Sequence, residues 1–149
     1  MRSLGLDIGD RKTGVAISDP DGVLATPLTV IERRNQEDVI ADIIKLVEQY
    51  KVECIVVGLP YSLDGHLTQQ AMKVKDFTEK LQNVIASRSP KIDIQMWDER
   101  LSSVAAERLM IEAGTKKNKR KQHQDALAAA IILQGFLDSL NNLLISEGV

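Results

Sequence analysis

Three acidic residues occupy positions where a carboxylate is either expensive or useful: Asp7, Glu99 and Asp125. Asp7 interrupts the apolar stretch Leu4 to Ile8, just before Gly9. Burying a carboxylate in such a segment is costly unless it is paired or binds a cation. The strand end is also where α/β proteins commonly place ligands. The alternative is a turn aspartate that accepts local N–H groups.

Asp98 and Glu99 close a short apolar run and precede Arg100. Neighbouring side chains on a strand point to opposite faces, so at most one of the two can share a site with Asp7. The competing reading is an exposed Glu99–Arg100 surface pair, worth ~0–1 kcal/mol.

Asp125 precedes Ala128, Ala129 and Ile132 by three, four and seven residues, which puts it on their apolar helix face. A charge near a helix start gains about 0.3–1 kcal/mol from the helix dipole. That accounts for an acid at this position but not for its inward direction. The small alanines let the helix lie close to a sheet and bring Asp125 toward Asp7.

Three bare carboxylates brought together would repel. A hard divalent cation resolves this, and oxygen ligands without Cys or His favour Mg²⁺ or Mn²⁺. Two such ions can drive phosphodiester hydrolysis. Lys116, Lys117, Lys119, Arg120 and Lys121 crowd into six residues just before Asp125, and would hold phosphates beside the acids. The alternative for that cluster is a solvated charge run. Read as a loop, it would be mobile without a ligand, because it holds no apolar residue to dock it.

The elements that must position these residues follow from periodicity and turn chemistry. Ser3 to Asp7 reads as a strand, Asp10-Arg11-Lys12-Thr13 as a polar turn between Gly9 and Gly14, and Val15 to Ser18 as a second strand. Asp19-Pro20-Asp21-Gly22 is a turn, and Val23 to Val30 a third strand. Asn35 caps a helix whose apolar residues Val39, Ile40, Ile43, Ile44 and Val47 recur at helical spacing. Val52 to Leu59 is a buried strand, about Thr68 to Ala86 a helix, and Ile92 to Trp97 a fifth strand. Ser102 or Ser103 caps a helix ended by Gly114, and Gln124 to Leu140 forms the last one.

The order β-β-β-α-β-α-β-α-α implies an α/β fold with a five-stranded mixed sheet and helices on both faces. A chain of 149 residues suits one domain, residues 1–149. With aromatics at only 3%, the core must be built mainly from Ile, Leu, Val and Ala. Cys54 is the single cysteine, so no internal disulfide forms. The N-terminal apolar stretch is too short and too polar for a signal peptide, and no run approaches the ~20 apolar residues of a membrane span. A cytoplasmic protein without membrane partners is expected. The net charge of −2 argues against nucleic-acid binding by the bulk surface and leaves that role to the basic cluster.

These residues resemble a known family. Gly5-Leu6-Asp7-Ile8-Gly9, with Arg11-Lys12 and Thr13-Gly14-Val15-Ala16, is similar to the opening motif of the YqgF family, RuvC-like members of the ribonuclease H superfamily. Its members are described as pre-16S rRNA nucleases or Holliday-junction resolvase-like proteins. Val57-Gly58-Leu59-Pro60, Asp98-Glu99-Arg100-Leu101-Ser102-Ser103 and Asp125 to Gln134 match further blocks in the same order, so the resemblance spans nearly the whole chain.

The resemblance implies a ribonuclease H-like fold and metal-dependent phosphodiester cleavage, with Asp7, Glu99 and Asp125 as catalytic acids and metal ligands. Asp7 would bridge the metals, and Arg11 or Lys12 would contact phosphate. The partner would be structured RNA, in particular precursor rRNA, with a DNA junction as the alternative. RuvC-type resolvases place an acid at the end of the fourth strand, where this chain has Gly58-Leu59-Pro60. Many relatives carry an Asn before a Gly in the following loop. Here Asp64-Gly65 stands nearby, and that loop is left out of the core site. Two other readings stay open: a non-catalytic RNA-binding assembly factor, and a nucleotide-binding protein, since the first glycine motif also resembles the phosphate loop of actin-like ATPases and sugar kinases.

Overall fold

Alternating apolar residues in the first third of the chain build an antiparallel meander. A computed structural model describes residues 1–32, 34–62, 64–88, 91–102 and 117–146. The meander comprises β1 (Ser3–Ile8), β2 (Lys12–Ser18) and β3 (Ala25–Glu32). After it come α1 (Gln36–Tyr50), β4 (Cys54–Leu59), α2 (Gln69–Arg88) and β5 (Asp93–Asp98). A 3-10 turn over Glu99–Ser102 follows, and α3 (Lys117–Ser146) is the last helix. The sheet order is β3-β2-β1-β4-β5, with β1, β4 and β5 parallel and β2 antiparallel to both its neighbours.

Each face of the sheet is covered separately. Leu4, Leu6, Val15, Ile55 and Val57 pack under α1 and α2. Ala16, Cys54 and Val56 face the other way, against Ala129, Ala130, Ile132, Leu133 and Leu137 of α3. The alternation of Cys54 and Val56 with Ile55 and Val57 shows β4 buried on both sides, as a central parallel strand must be. Helices therefore do lie on both faces.

The capped helix forms as its sequence dictates. The Asn35 side chain accepts from the Asp38 N–H, and Val39, Ile40, Ile43, Ile44 and Val47 are its buried residues. The Asp19 to Gly22 turn closes with Gly22 at φ +72° and its N–H donating to the Asp19 carbonyl.

Most element boundaries move by one or two residues from expectation, α3 also runs on to Ser146 rather than Leu140, and the following shifts bear on the site. Strand β2 starts at Lys12, because Lys12 and Thr13 pair with Glu32 and Ile31. The turn is thus shorter than expected, with the Gly9 N–H donating to the Lys12 carbonyl at 2.9 Å. Strand β3 runs two residues later than read, over Ala25–Glu32. Helix α3 begins at Lys117 rather than Gln124, so Lys117, Lys119, Arg120 and Lys121 are helical and do not form a loop. Lys, Arg, Gln and Ala are strong helix formers, and Lys117 to Gln134 contains no Gly or Pro to stop the helix.

The helix expected up to Gly114 and the residue Lys116 lie outside the described residues, as do the side chains of residues 117–125. The stretch Ala126–Leu143 of α3 is long and apolar enough to cross a membrane by length and composition alone, which the sequence reading did not expect. Its packing on the sheet accounts for that apolarity.

Candidate active site at the carboxyl edge of the sheet

Asp7 is half-buried near the end of β1. It shares a strand face with Gly5, two residues before it. That face meets α3 at very short range: a Cβ on Gly5 would stand 2.7 Å from the Leu133 Cβ and 2.9 Å from the Ala129 carbonyl oxygen. Asp7 consequently points to the α3 side. The end of β1 is held in place from α2, where the Gln70 amide donates to the Ile8 carbonyl at 2.9 Å. Arg11 and Lys12 are exposed at the turn just beyond, on the same edge of the sheet as Asp7.

Glu99 begins the 3-10 turn directly after β5. Strand β4 lies between β5 and β1, so Glu99 must reach across β4 to approach Asp7. It does so over Gly58: the Glu99 Oε1 lies 2.8 Å from where a Gly58 Cβ would be. Gly58 pairs with Trp97 on one side and follows Val57, the partner of Leu6, on the other. It is therefore level with Asp7.

The electrostatics record this convergence. Burial pushes the Glu99 carboxyl up from the usual 4.5 to about 7, and the negative charges of Asp7 and then Asp98 add to the rise.

Asp98 has a different task. Its carboxylate accepts from the Arg100 side chain at 2.6–3.1 Å and from the Arg100 N–H at 3.0 Å. The Arg100 hydrogen bonds hold its pKa below the usual carboxylate value. Arg100 in turn lies 5.0 Å from the Tyr61 ring centroid and reaches the Ser62 carbonyl at 3.4 Å. The loop after β4, closed by the Tyr61–Leu67 bridge, is thereby tied to the same edge of the sheet as Glu99. The strand alternation did assign one carboxylate to each side.

The backbone of Asp125 is one helical turn before Ala129. Ala129 sits over Gly5, whereas Gln134 hydrogen-bonds Ala25 and Val23 near the opposite edge of the sheet. The N-terminal end of α3 therefore points toward the Asp7 edge, and the basic residues 117–121 extend beyond it. The Asp125 side chain lies outside the described residues.

Among the described residues no group of three metal-ligating side chains is assembled. The two that do approach, Asp7 and Glu99, are both oxygen donors whose mutual repulsion a cation would relieve. That donor chemistry fits a hard divalent ion.

Two features escaped the sequence reading. Gly58 carried a signal, since a glycine inside a buried strand marks a close approach. The Arg100–Tyr61 stacking joins residues 39 positions apart and left no local trace.

Comparison with known proteins bears on this arrangement. Residues 1–139 match the family model described as "RuvX: Holliday junction resolvase". Two curated relatives are both named "Putative pre-16S rRNA nuclease". One, from Clostridium novyi, is 45% identical over 94% of this chain and 100% of its own length. The other, from Clostridium botulinum strain Hall, is 46% identical over 95% of this chain and 99% of its own. Among solved structures, the Thermus thermophilus RuvC–Holliday junction complex superposes with a TM-score of 0.62 at 17% identity, covering 93% of this chain and 96% of that one. The Fowlpox virus resolvase bound to junction DNA gives 0.56 at 11%, covering 94% and 99%. These likenesses show a shared ribonuclease H-like fold. With its sheet order, its carboxylates at the strand ends and a family match over nearly its full length, the chain belongs to the RuvX family of resolvase-type nucleases.

Proposed function

We propose that this protein is a cytoplasmic, divalent-metal-dependent nuclease that cuts structured RNA, acting at the 5′ end of pre-16S rRNA. The observation that carries the reading is the approach of Glu99 to Asp7 across Gly58, with the Glu99 carboxyl raised to about 7. Paired acids under such repulsion are poised to take up a cation. The relatives' shared name, at 45–46% identity over nearly the whole chain, supports RNA as the substrate.

Asp7, Glu99 and Asp125 would hold Mg²⁺ or Mn²⁺. Bound there, the metal supplies an acidified water for attack on phosphorus and positive charge on the phosphate oxygens. The chain's own groups do the rest. With its carboxyl raised to about 7, Glu99 is only partly ionised near neutral pH, and a cation held there would favour its charged form. Arg11 and Lys12 flank the acids at the β1–β2 turn, and Lys116, Lys117 and Lys119 lead into Asp125. Together they position a phosphate backbone without reading its sequence. The Gln70 hydrogen bond and the Arg100 clasp hold the strand ends so that the carboxylates stay fixed as substrate enters.

A DNA junction is the second substrate to consider, because the family description names one. RuvC-type resolvases carry an acid at the end of the fourth strand, where this chain has Gly58-Leu59-Pro60, and that counts against the junction and in favour of RNA. Incubating the purified protein with precursor 16S rRNA and with a four-way DNA junction, each with Mg²⁺ or Mn²⁺, tests the reading. Metal-dependent cleavage confined to the RNA is the expected result. Cleavage of the junction alone would replace it with the resolvase reading, and RNA binding without cleavage would make the protein an assembly factor.

A further inference from the structure

We propose that Gly58 is a positioning residue of the metal site, absent a side chain so that Glu99 can lie across β4 and meet Asp7. This rests on the metal-site reading above and adds the element that assembles it.

Asp7 and Glu99 belong to strand ends separated by β4. Any side chain at position 58 on the α3 face would stand between them. A Cβ there would run into the Ile132 Cδ1 and would meet the Glu99 Oε1 at 2.8 Å and the Ile132 Cγ1 at 3.0 Å.

The identity of the obstructed atoms separates this role from a purely structural one. At Gly5 an added Cβ would press on the Leu133 Cβ and the Ala129 carbonyl oxygen, which belong to the rigid part of α3. At Gly58 the obstacles are side-chain atoms, from Ile132 and from the end of Glu99. Ile132 is buried and β-branched, so the half-buried Glu99 carboxylate is the freer of the two to give way, and shortening Ile132 to Val leaves a methyl group at position 58 to be accommodated by the carboxylate. Backbone conformation does not demand glycine at this site, because only Gly22 and Gly65 among the described glycines have positive φ.

The test measures Mn²⁺ binding by calorimetry in the full-length chain, with thermal melting of the metal-free protein alongside. The variants are Gly58→Ala, Glu99→Gln and their combination, each also in an Ile132→Val background that removes the Cδ1 obstacle. Gly58→Ala is expected to melt close to wild type, at least with Ile132→Val, yet to bind Mn²⁺ at least ~10-fold more weakly. Adding Glu99→Gln to Gly58→Ala should cost little more, because both act through one carboxylate. Unchanged Mn²⁺ affinity in a folded Gly58→Ala protein would overturn the proposal, and so would losses that add independently. If Gly58→Ala fails to fold even with Ile132→Val, the glycine is a packing residue and the proposal fails. Wild type that binds no Mn²⁺ would remove the metal-site reading itself, a result separable from all of these.

Discussion

Glu99 holds its proton to about pH 7 because it is buried beside the charge of Asp7, two strands away in the same sheet. A carboxyl whose folded pKa lies above its unfolded value makes the folded state the better proton binder. Stability then falls as pH rises between the two values. In the metal-free protein the fall should run from about pH 4.5 to about pH 7 and level off above. Glu99 is half-buried, so solvent screening limits the loss to ~1–2 kcal/mol. Asp19, Asp64 and Asp98 have lowered values, so their contributions are lost only below that window. Urea melts at several pH values should show the slope in wild type and its absence in Glu99→Gln. An equal slope in both would assign it to other groups.

Asp7→Asn should reduce cleavage to background while leaving the metal-free fold intact. Removing one of two mutually repelling charges lowers the cost of ionising Glu99. The melting temperature without metal should stay level or rise by ~2 °C. The Glu99 pKa, followed by carboxyl NMR, should move down toward its ordinary range. A large loss of melting temperature would instead make Asp7 a structural turn residue.

Gly5→Ala should behave quite differently from a change at Gly58. Its Cβ would press against the Leu133 Cβ and the Ala129 carbonyl oxygen, so α3 itself must shift off the sheet. Overpacking of that kind costs ~1–3 kcal/mol. The melting temperature should drop by roughly 3–10 °C. Leu133→Ala should not rescue the variant, since alanine keeps the offending Cβ. Rescue would show that the clash resides in the outer part of the leucine side chain.

Replacing Lys116, Lys117 and Lys119 with alanine should weaken RNA binding and flatten its salt dependence. Each lost phosphate contact removes about 0.7 from the slope on single-stranded RNA. Alanine is as good a helix former as lysine, so the helical start of α3 at Lys117 should survive, and circular dichroism checks this. Base preference should hardly change. Equal slopes for wild type and triple variant would leave the cluster as a solvated helix end.

Local chemistry made much of this protein legible before any tertiary information. The Asn35 cap and the spacing of Val39, Ile40, Ile43, Ile44 and Val47 specify α1, because capping and periodicity act within a few residues. Asp19-Pro20-Asp21-Gly22 specifies its turn for the same reason. Asp7 and Glu99 were visible as acids at strand ends, and pleat alternation ruled that Asp98 and Glu99 could not both face inward. Which of the two does so was a tertiary decision. It depends on Arg100 finding Tyr61 and Ser62 and thereby retaining Asp98, and on the absence of a side chain at Gly58. The extra turns of α3 also escaped, because a polar basic run shows no apolar stripe even where its residues favour helix. A carboxylate's type and spacing are written along the chain. Whether it meets another carboxylate across an intervening strand depends on strand order and on what fills the space between, and only the folded sheet sets both.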